Sequence, residues 1–257
     1  LISTTIGVRR MRRNGLMILA AAGLIFSGTP SLAAPSINIS NPEGSSEADD
    51  AYDAFVAGPF DYITESFENF TVPDGSAGLE SPTGGFDTSV GNFAQITPGS
   101  GGACSSSPGG CDNLVIFNNK DTDPFGGRNA TGEDGGTHWL DSNDSKEMEW
   151  TPKDLVDVQE VGFYITDPND SGGNLEIKLS DGTEFTGKFS TELGSGAEYF
   201  VDISAGDNLS ISGISWIMDD SSDGFGIDLF TIGVPQGGSQ DVPVPATLGL
   251  LAFGLLS

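Results

Sequence analysis

Short runs of β-branched and aromatic residues recur from Phe60 onward, and turn-forming residues separate them roughly every 8–12 positions. This spacing is typical of an antiparallel β-sandwich. The run Leu175–Leu179 alternates apolar and polar side chains, as a strand with one buried face does. The segment Ser180–Thr183 contains the Asp-Gly pair that is typical of a tight hairpin turn. The pattern therefore predicts an all-β fold with two packed sheets.

Eleven segments have the composition of strands. They are Tyr62–Thr71, Gly91–Ile96, Asn113–Asn118, Thr137–Asp141, Glu147–Trp150, Glu160–Ile165, Leu175–Leu179, Glu184–Phe189, Tyr199–Ile203, Ser210–Met218 and Gly226–Ile232. Gly213 interrupts the alternation of its strand, which predicts a β-bulge there. Ahead of these strands we expect one or two helical turns at Ala48–Phe55, within a polar linker of residues 34–59.

The chain is strongly acidic, with 37 acidic and 10 basic residues and a formal net charge of −27. Four of the basic residues, Arg9, Arg10, Arg12 and Arg13, lie close together, so the rest of the chain is more acidic still. Charge of this sign repels nucleic acids and anionic membranes, and we expect neither as a partner. It favours divalent cations or a cation-rich matrix, unless it serves only to keep the surface solvated.

Residues 1–33 are predicted to be a secretory signal peptide. The arginines precede a short apolar run, Leu16–Phe26, whereas a membrane-spanning helix needs about 20 residues. Ser31 and Ala33 provide small side chains for cleavage between Ala33 and Ala34. Translation is expected to begin at Met11, which places residues 1–10 upstream of the true start.

The other end of the chain is an uncharged apolar run that follows two prolines. Val242, Pro243, Val244, Pro245 and Ala246, with the leucines after them, resemble the PEP-CTERM sorting signal of bacterial exosortase substrates. That signal combines a proline-containing box, an apolar helix and a basic cluster. Val244 stands where Glu is commonest, and the run stops before a full helix and a basic tail, so residues 242–257 look truncated. The resemblance implies an exosortase-type partner, a transient membrane contact through a short hydrophobic helix, and a final location at the cell surface or outside the cell.

A second resemblance lies in the body of the chain. Gly162–Asp167, Asp170–Gly173 and Asp223–Asp228 look like the β-sandwich of many PEP-CTERM surface proteins, and Ser66–Phe70 is similar to its first strand. The resemblance implies a jelly-roll-like domain over residues 60–233, akin to carbohydrate-binding modules. Residues 234–241 then form a linker to the sorting segment.

Calcium is the cofactor that this resemblance implies. Sandwich modules of this kind often hold a structural calcium where the first and last strands meet, and Glu68 and Asp228 occupy those positions. Asp167 and Asp170 bracket a glycine-rich turn, and Asp223 precedes the last strand. These five carboxylates are the candidate ligands, because calcium prefers about six to eight oxygen ligands. The alternative is that they only form turns and keep the surface soluble.

Aromatic side chains could provide stacking surfaces for sugars. Trp139, Trp150 and Tyr164 are the candidate carbohydrate-binding residues, and the alternative for each is a place in the core of the sandwich.

Cys104 and Cys111 are the only cysteines, and both lie in a loop rich in glycine and serine. In an exported chain such a pair favours a disulfide over a redox or metal site.

Little in the sequence indicates catalysis. His138 is the only histidine, and a structural role is the default for it. The sequence favours a non-catalytic exported protein with an adhesive or structural role in an exopolysaccharide or biofilm matrix. The alternatives are a calcium-dependent carbohydrate-binding module and, third, a hydrolase acting on polysaccharide.

Overall fold

The strands of this fold form two sheets. A computed structural model of the chain describes residues 33–40, 45–73, 78–101, 110–118, 127–131, 136–153, 157–168, 172–189 and 196–236. The first sheet contains β1 (Ser36–Ile39), β2 (Phe60–Glu65), β3 (Leu79–Glu80), β6 (Val115–Asn118), β7 (His138–Asp141), β9 (Glu160–Thr166), β12 (Glu198–Ser204) and β14 (Gly226–Pro235). The second contains β4 (Phe86–Asp87), β5 (Gly91–Thr97), β8 (Glu147–Pro152), β10 (Gly173–Leu179), β11 (Glu184–Phe189) and β13 (Ile211–Met218).

The two sheets are antiparallel throughout the described residues, and they pack face to face. The first has the order β1-β12-β9-β14-β7-β6-β3, with β2 also paired to β14, and the second has the order β11-β10-β13-β8-β5-β4. The predicted all-β sandwich is therefore confirmed. The hairpin between β10 and β11 is confirmed too, with Gly182 at φ 83° in the turn.

An aromatic cluster centred on Phe230 fills the space between the sheets. Its ring centroid lies 5.0 Å from that of Phe93, 4.9 Å from Trp150 and 5.5 Å from Phe163, which it stacks upon at 13°. Such ring pairs add to the stabilisation that comes from burying apolar area. The alternation seen in the sequence thus places one face of each sheet in this core.

A bulge in β14 marks the point where the neighbouring strand on one side changes from β7 to β2. Asp228 pairs with Tyr164 and Thr231 with Gly162, so two residues of β14 face one of β9. Leu229, in the bulge, has a left-handed φ of 45°. Up to Ile227 the strand pairs with β7, and from Phe230 it pairs with β2. The bulge lets one strand serve two neighbours on the same side.

The strand predictions hold, with small shifts at the ends, for all but the first. The second half of Tyr62–Thr71 is wrong as a strand, because β2 ends at Glu65 and Phe67 turns with φ 60°. The Glu65 carboxylate accepts the N–H of Phe67 at 2.8 Å and that of Ser89 at 2.9 Å, which ties this turn to the opposite sheet. The predicted bulge is confirmed, because Lys178 pairs with Gly213 and Leu179 with Ile211. The short strands β1, β3 and β4 were not predicted.

The linker predicted over residues 34–59 is corrected. Residues 36–39 form β1, which pairs with β12, and α1 (Ser45–Val56) lies on the outer face of the first sheet. The helix is longer than expected and buries Phe55 against Phe200 and Tyr164. Both ends of the chain, with the predicted signal and sorting helices, lie outside the described residues. In the ranges described here, no helix has the length and apolar character required to cross a bilayer.

The contact between α1 and β9 depends on a glycine. A Cβ on Gly162 would lie 2.5 Å from Cζ of Phe200 and 2.8 Å from Cε1 of Phe55. We therefore expect Gly162→Ala to lower the free energy of unfolding by about 1–3 kcal/mol, the usual cost of overpacking. Gly213→Ala is the matched control, since its Cβ would meet nothing closer than 3.4 Å. Urea unfolding measures both, and equal losses would contradict this account.

Candidate functional site

The guanidinium of Arg128 lies buried among four carboxylates, where β7 and β9 end and β14 begins. Its Nη1 is 3.4 Å from Oδ1 of Asp141, its Nη2 is 3.2 Å from Oδ1 of Asp144 and 2.5 Å from Oδ1 of Asp223, and its Nε is 4.0 Å from Oδ2 of Asp167. The side chains of Asp141 and Asp144 are completely buried. One residue thus holds together loops that are distant in sequence.

Local hydrogen bonds explain why the turn after β7 presents two of these acids. The Asp141 carboxylate accepts the backbone N–H of Asn143 at 2.5 Å. Asn143 and Asp144 have φ values of 51° and 58°, a conformation that Asn and Asp tolerate better than most residues. The hydroxyl of Ser142 accepts the N–H of Phe225 at 2.9 Å, which fixes the turn to the start of β14.

Electrostatics in this cluster favour a charged arginine and oppose the ionisation of one acid. Burial raises the pKa of Asp141 to about 6, although Arg128 acts in the opposite direction. Burial also opposes the charge of Arg128, but Asp141, Asp144 and Asp223 outweigh it and raise the pKa of the guanidinium. Because four acids surround one base, a proton on Asp141 reduces the repulsion among the carboxylates.

Two of the predicted metal ligands, Asp167 and Asp223, belong to this cluster. Both face Arg128, so the structure brings them together around a side-chain cation. Asp167 also accepts the N–H of Gly196 at 2.7 Å, and Asp223 accepts that of Gly224 at 2.8 Å. Asp170 lies outside the described residues.

The other two predicted ligands are held by different partners. Asp228 accepts the N–H of Thr131 at 2.9 Å and its hydroxyl at 3.2 Å. Glu68 accepts the N–H groups of Thr137 at 2.5 Å and His138 at 2.6 Å, and its Oε2 lies 2.8 Å from the His138 ring. Burial alone would raise the pKa of Glu68, but the N–H groups of His138 and Thr137 and the His138 ring lower it.

The described members of the predicted calcium set do not fit a single ion. Calcium needs about six to eight oxygens directed at one point. These carboxylates already accept bonds from N–H groups or from Arg128, and no three Asp, Glu, His or Cys residues of the described ranges have the geometry to hold a metal. Calcium therefore stays a prediction.

The prediction that three aromatic residues stack on sugars is wrong. Trp139, Trp150 and Tyr164 are each 0% exposed. Trp139 packs on Phe117, Tyr164 packs on Phe200, and Trp150 belongs to the core between the sheets. A ring with no exposed face cannot stack on a sugar, so the alternative of a place in the core holds for all three.

A cleft of about 380 Å³ lies between α1 and the outer face of the first sheet. Its walls come from the helix and the residues after it, from β1 and Ser40, and from β9 and β12. The lining residues are Asn38, Ile39, Ser40, Ala51, Ala54, Phe55, Gly58, Glu160, Phe200 and Asp202. Its volume falls within the range of about 300–1,000 Å³ that is typical of ligand pockets.

The register of the strands places two carboxylates in this cleft. Asp202 pairs with Gly162 and Ser204 with Glu160, so Glu160 and Asp202 are diagonal neighbours on one face. The Tyr62 hydroxyl donates to Glu160 at 3.3 Å, and the Asn38 amide donates to Asp202 at 3.4 Å. Aromatic and aliphatic side chains thus share the cleft with a few polar groups, an arrangement common in binding sites.

Ionisation of both acids is disfavoured. Burial, and then the charge of Asp202, raise the pKa of Glu160, and burial raises that of Asp202. Burial and the neighbouring Glu160 raise the pKa of Tyr62 to about 12, so its hydroxyl keeps its proton at neutral pH.

Sequence reasoning missed both Arg128 and the cleft. A signal for the cleft exists, because Ala48, Ala51, Tyr52 and Phe55 recur at the spacing of a helix face. Arg128 sits in a glycine-rich stretch with no strand pattern, and nothing local indicates that four acids surround it.

The other predicted sites lie partly or wholly outside the described residues. Ala33 and Ala34, the predicted cleavage site, are exposed, and the Ala33 N–H donates to Asp207 at 2.8 Å. Cys104 lies outside the described residues, so its disulfide with Cys111 stays a prediction. The segment with Val242, Pro243, Val244, Pro245 and Ala246 also lies outside them.

No protein-family model and no curated protein matches the chain. Among solved structures, the K2 cleaved adhesin domain of Lys-gingipain is similar over 68% of this chain and 100% of its own, with a TM-score of 0.31 and 12% identity. TmCBM61, solved with beta-1,4-galactotriose, covers 64% of this chain and 99% of its own, with a TM-score of 0.29 and 15% identity. The mannan-recognising module TmCBM27 covers 68% of this chain and 98% of its own, with a TM-score of 0.27 and 13% identity.

Replacing the buried arginine tests its structural role. Arg128→Met leaves Asp141 and Asp144 buried without their cation, and we expect the free energy of unfolding to fall by about 3–5 kcal/mol. Lys178→Met is the matched control, because Lys178 pairs with Glu149 at the surface, where a salt bridge contributes about 0–1 kcal/mol. Denaturant unfolding compares them, and a loss in Arg128→Met no larger than in the control would refute the role.

The raised pKa of Asp141 predicts a pH dependence of stability. The folded pKa of about 6 exceeds the unfolded value of about 3.9, so this group stabilises the fold fully below pH 4 and loses that contribution as the pH rises through 6. The difference in unfolding free energy between the wild type and Asp141→Asn should therefore fall from pH 4 to pH 7. The same difference for Asp219→Asn, at an exposed site, is the control. If the difference between the wild type and Asp141→Asn instead rises from pH 4 to pH 7, the fold lowers the pKa of Asp141 and the prediction is wrong.

Proposed function

We propose that the chain is an exported, non-catalytic protein that binds carbohydrate through the cleft between α1 and the first sheet, with an adhesive or structural role in an exopolysaccharide matrix. The observation that supports this most is the cleft itself. It combines an apolar lining that includes Ile39, Ala51 and Ala54 with an amide, a hydroxyl and two carboxylates. Sugars present an apolar ring face and hydroxyl edges, and a surface of this composition matches both.

The proposal of export rests on the predicted signal peptide and on the resemblance of residues 242–257 to a sorting signal. In this proposal an exosortase-type enzyme acts on that segment and leaves the sandwich at the cell surface or outside the cell. The high acidity of the chain suits a hydrated matrix, because a large net charge keeps a protein soluble and separate from its copies.

Calcium remains the proposed cofactor, and the acidity of the loops is the observation that supports it. The test is thermal melting of the full-length chain in EDTA, in CaCl₂ and in MgCl₂ at equal ionic strength. A rise in melting temperature with calcium alone would support a specific site, whereas identical curves would remove calcium from the proposal.

A hydrolase is the second candidate for the function, and one observation favours it. Glycosidases act with two carboxyl groups, one protonated and one ionised, and Glu160 and Asp202 are two carboxyl groups that line one cleft. The binding assay should therefore also measure reducing ends. Their release by the wild type, but not by Glu160→Gln, would replace the non-catalytic proposal.

Filling the cleft tests the proposed site. Ala54 is exposed on α1 and lines the cleft, so Ala54→Trp should block it without disturbing the core. Ala57→Trp is the matched control, because Ala57 is exposed nearby but is not part of the lining. We expect the wild type and Ala57→Trp to be retained on an array of neutral, acidic and amino polysaccharides, and Ala54→Trp to lose that retention. Equal binding by both variants would place the site elsewhere.

A further inference from the structure

We propose that the ligand of the cleft is a polysaccharide with free, protonated amino groups, and that one ammonium group binds between Glu160 and Asp202. This inference rests on the proposed function, because it names the class of carbohydrate for the same site. It follows from the charges that surround the cleft and from the bonds that its carboxylates leave open.

The elements around the cleft carry acids and no bases. Neither lysine nor arginine occurs in α1, β1, β2, β9 or β12. Glu160 and Asp202 are the acids among the residues that line the cleft, and α1 also carries Glu47, Asp49, Asp50 and Asp53. A pocket with walls of one sign concentrates ligands of the opposite sign and repels uronic acids and sulfated sugars.

The two carboxylates in the cleft have oxygens to offer. Glu160 accepts one bond, through Oε2, from Tyr62, and Asp202 accepts one, through Oδ2, from Asn38. Both bonds are longer than the charge-assisted norm of about 2.7–2.9 Å. In the described part of the chain, Glu160 Oε1 and Asp202 Oδ1 accept no hydrogen bond. An ionised carboxylate can accept several bonds, so each has capacity for a ligand.

The spacing of the two acids suits an ammonium group. Diagonal neighbours on antiparallel strands lie about 7–8 Å apart at the backbone, and their side chains can converge on one small cation. An ammonium group has three donors and can bond to both carboxylates at once. Burial raises the pKa of each acid because it disfavours the ionised form. A bound ammonium group would favour the ionised form and offset this effect of burial.

The remaining surface of the cleft fits the sugar that bears the amine. Ile39, Ala51 and Ala54 give the cleft an apolar wall that can contact a ring face, and its volume of about 380 Å³ is large enough for a pyranose ring. The hydroxyl of Ser40 and the amide of Asn38 can bond to hydroxyl groups. A lysine side chain shares the ammonium group but lacks the ring and its hydroxyls.

The test compares glucosamine oligomers with N-acetylglucosamine oligomers of equal length, because acetylation removes the charge and keeps the ring. Titration calorimetry with the full-length chain should show binding of the glucosamine oligomer, and binding of the acetylated one weaker by about 10- to 100-fold, as expected for a lost bond to a charged group. Added salt should weaken the first interaction more than the second.

Two neutralising substitutions assign the binding to the cleft. Asp202→Asn and Glu160→Gln should each weaken binding of the glucosamine oligomer by about tenfold or more. The matched controls are Asp219→Asn and Glu184→Gln, which neutralise exposed acids of the second sheet and its loops and should leave the affinity unchanged. Thermal melting checks that all four variants fold. If the controls lose as much affinity as the cleft variants, the attraction comes from net charge and the proposal is overturned.

The outcomes separate this inference from the proposed function. Equal affinity for the two oligomers would overturn the role of the amine and leave a carbohydrate site. Binding of neither oligomer, while other polysaccharides are retained by the wild type and lost in Ala54→Trp, would do the same. Failure to bind any polysaccharide would overturn both. Equal affinity for oligolysine would reassign the cleft to cationic peptides.

Discussion

The ion-pair cluster around Arg128 holds together the end of the sandwich from which the loops emerge. The residue itself lies in a short segment outside both sheets, yet it contacts the turn after β7, the end of β9 and the loop before β14. Buried charges cost several kcal/mol each unless they are paired, so these segments can reach their positions only together. The cluster therefore specifies the arrangement of loops even if a well-packed apolar core of the same volume would be equally stable.

The architecture could be predicted from the sequence because a sandwich repeats one simple signal. Alternation at period two identified β10 and β13, and the Asp-Gly pair at residues 181–182 identified the hairpin between β10 and β11. Prediction failed where a hydrogen bond from the backbone to a side chain overrides the strand pattern. Phe67 continues the composition of a strand, but the Glu65 carboxylate captures its N–H and turns the chain. The strands β3 and β4 are two residues long, too short for any periodicity to show.

The candidate site was harder to predict, since its residues come together only through the tertiary fold. Glu160 and Asp202 are distant in sequence, and only the register between β9 and β12 places them side by side. Of the acids chosen from the resemblance to calcium-bearing sandwiches, the four within the described residues bond to Arg128, Thr131 or His138. The aromatic residues chosen as sugar platforms are buried in three different ways: α1 covers Tyr164, Trp139 packs with Phe117 and Ala130, and Trp150 lies in the core between the sheets. The segment expected to be a linker is what creates the cleft.

The acids around Arg128 and the acids in the cleft both place carboxylates close together and partly out of water. The two sites differ in where the balancing cation comes from. At the loop end, the chain provides its own cation, and the carboxylates of Asp144 and Asp223 both pair with Arg128. At the cleft, no element in the walls has a cation, and Glu160 and Asp202 have only the weak donors of Tyr62 and Asn38. An acidic cluster that pairs with an internal arginine has a structural role. An acidic pair that is half-buried and set beside apolar side chains in an open cleft gains most when the missing cation arrives as part of a ligand.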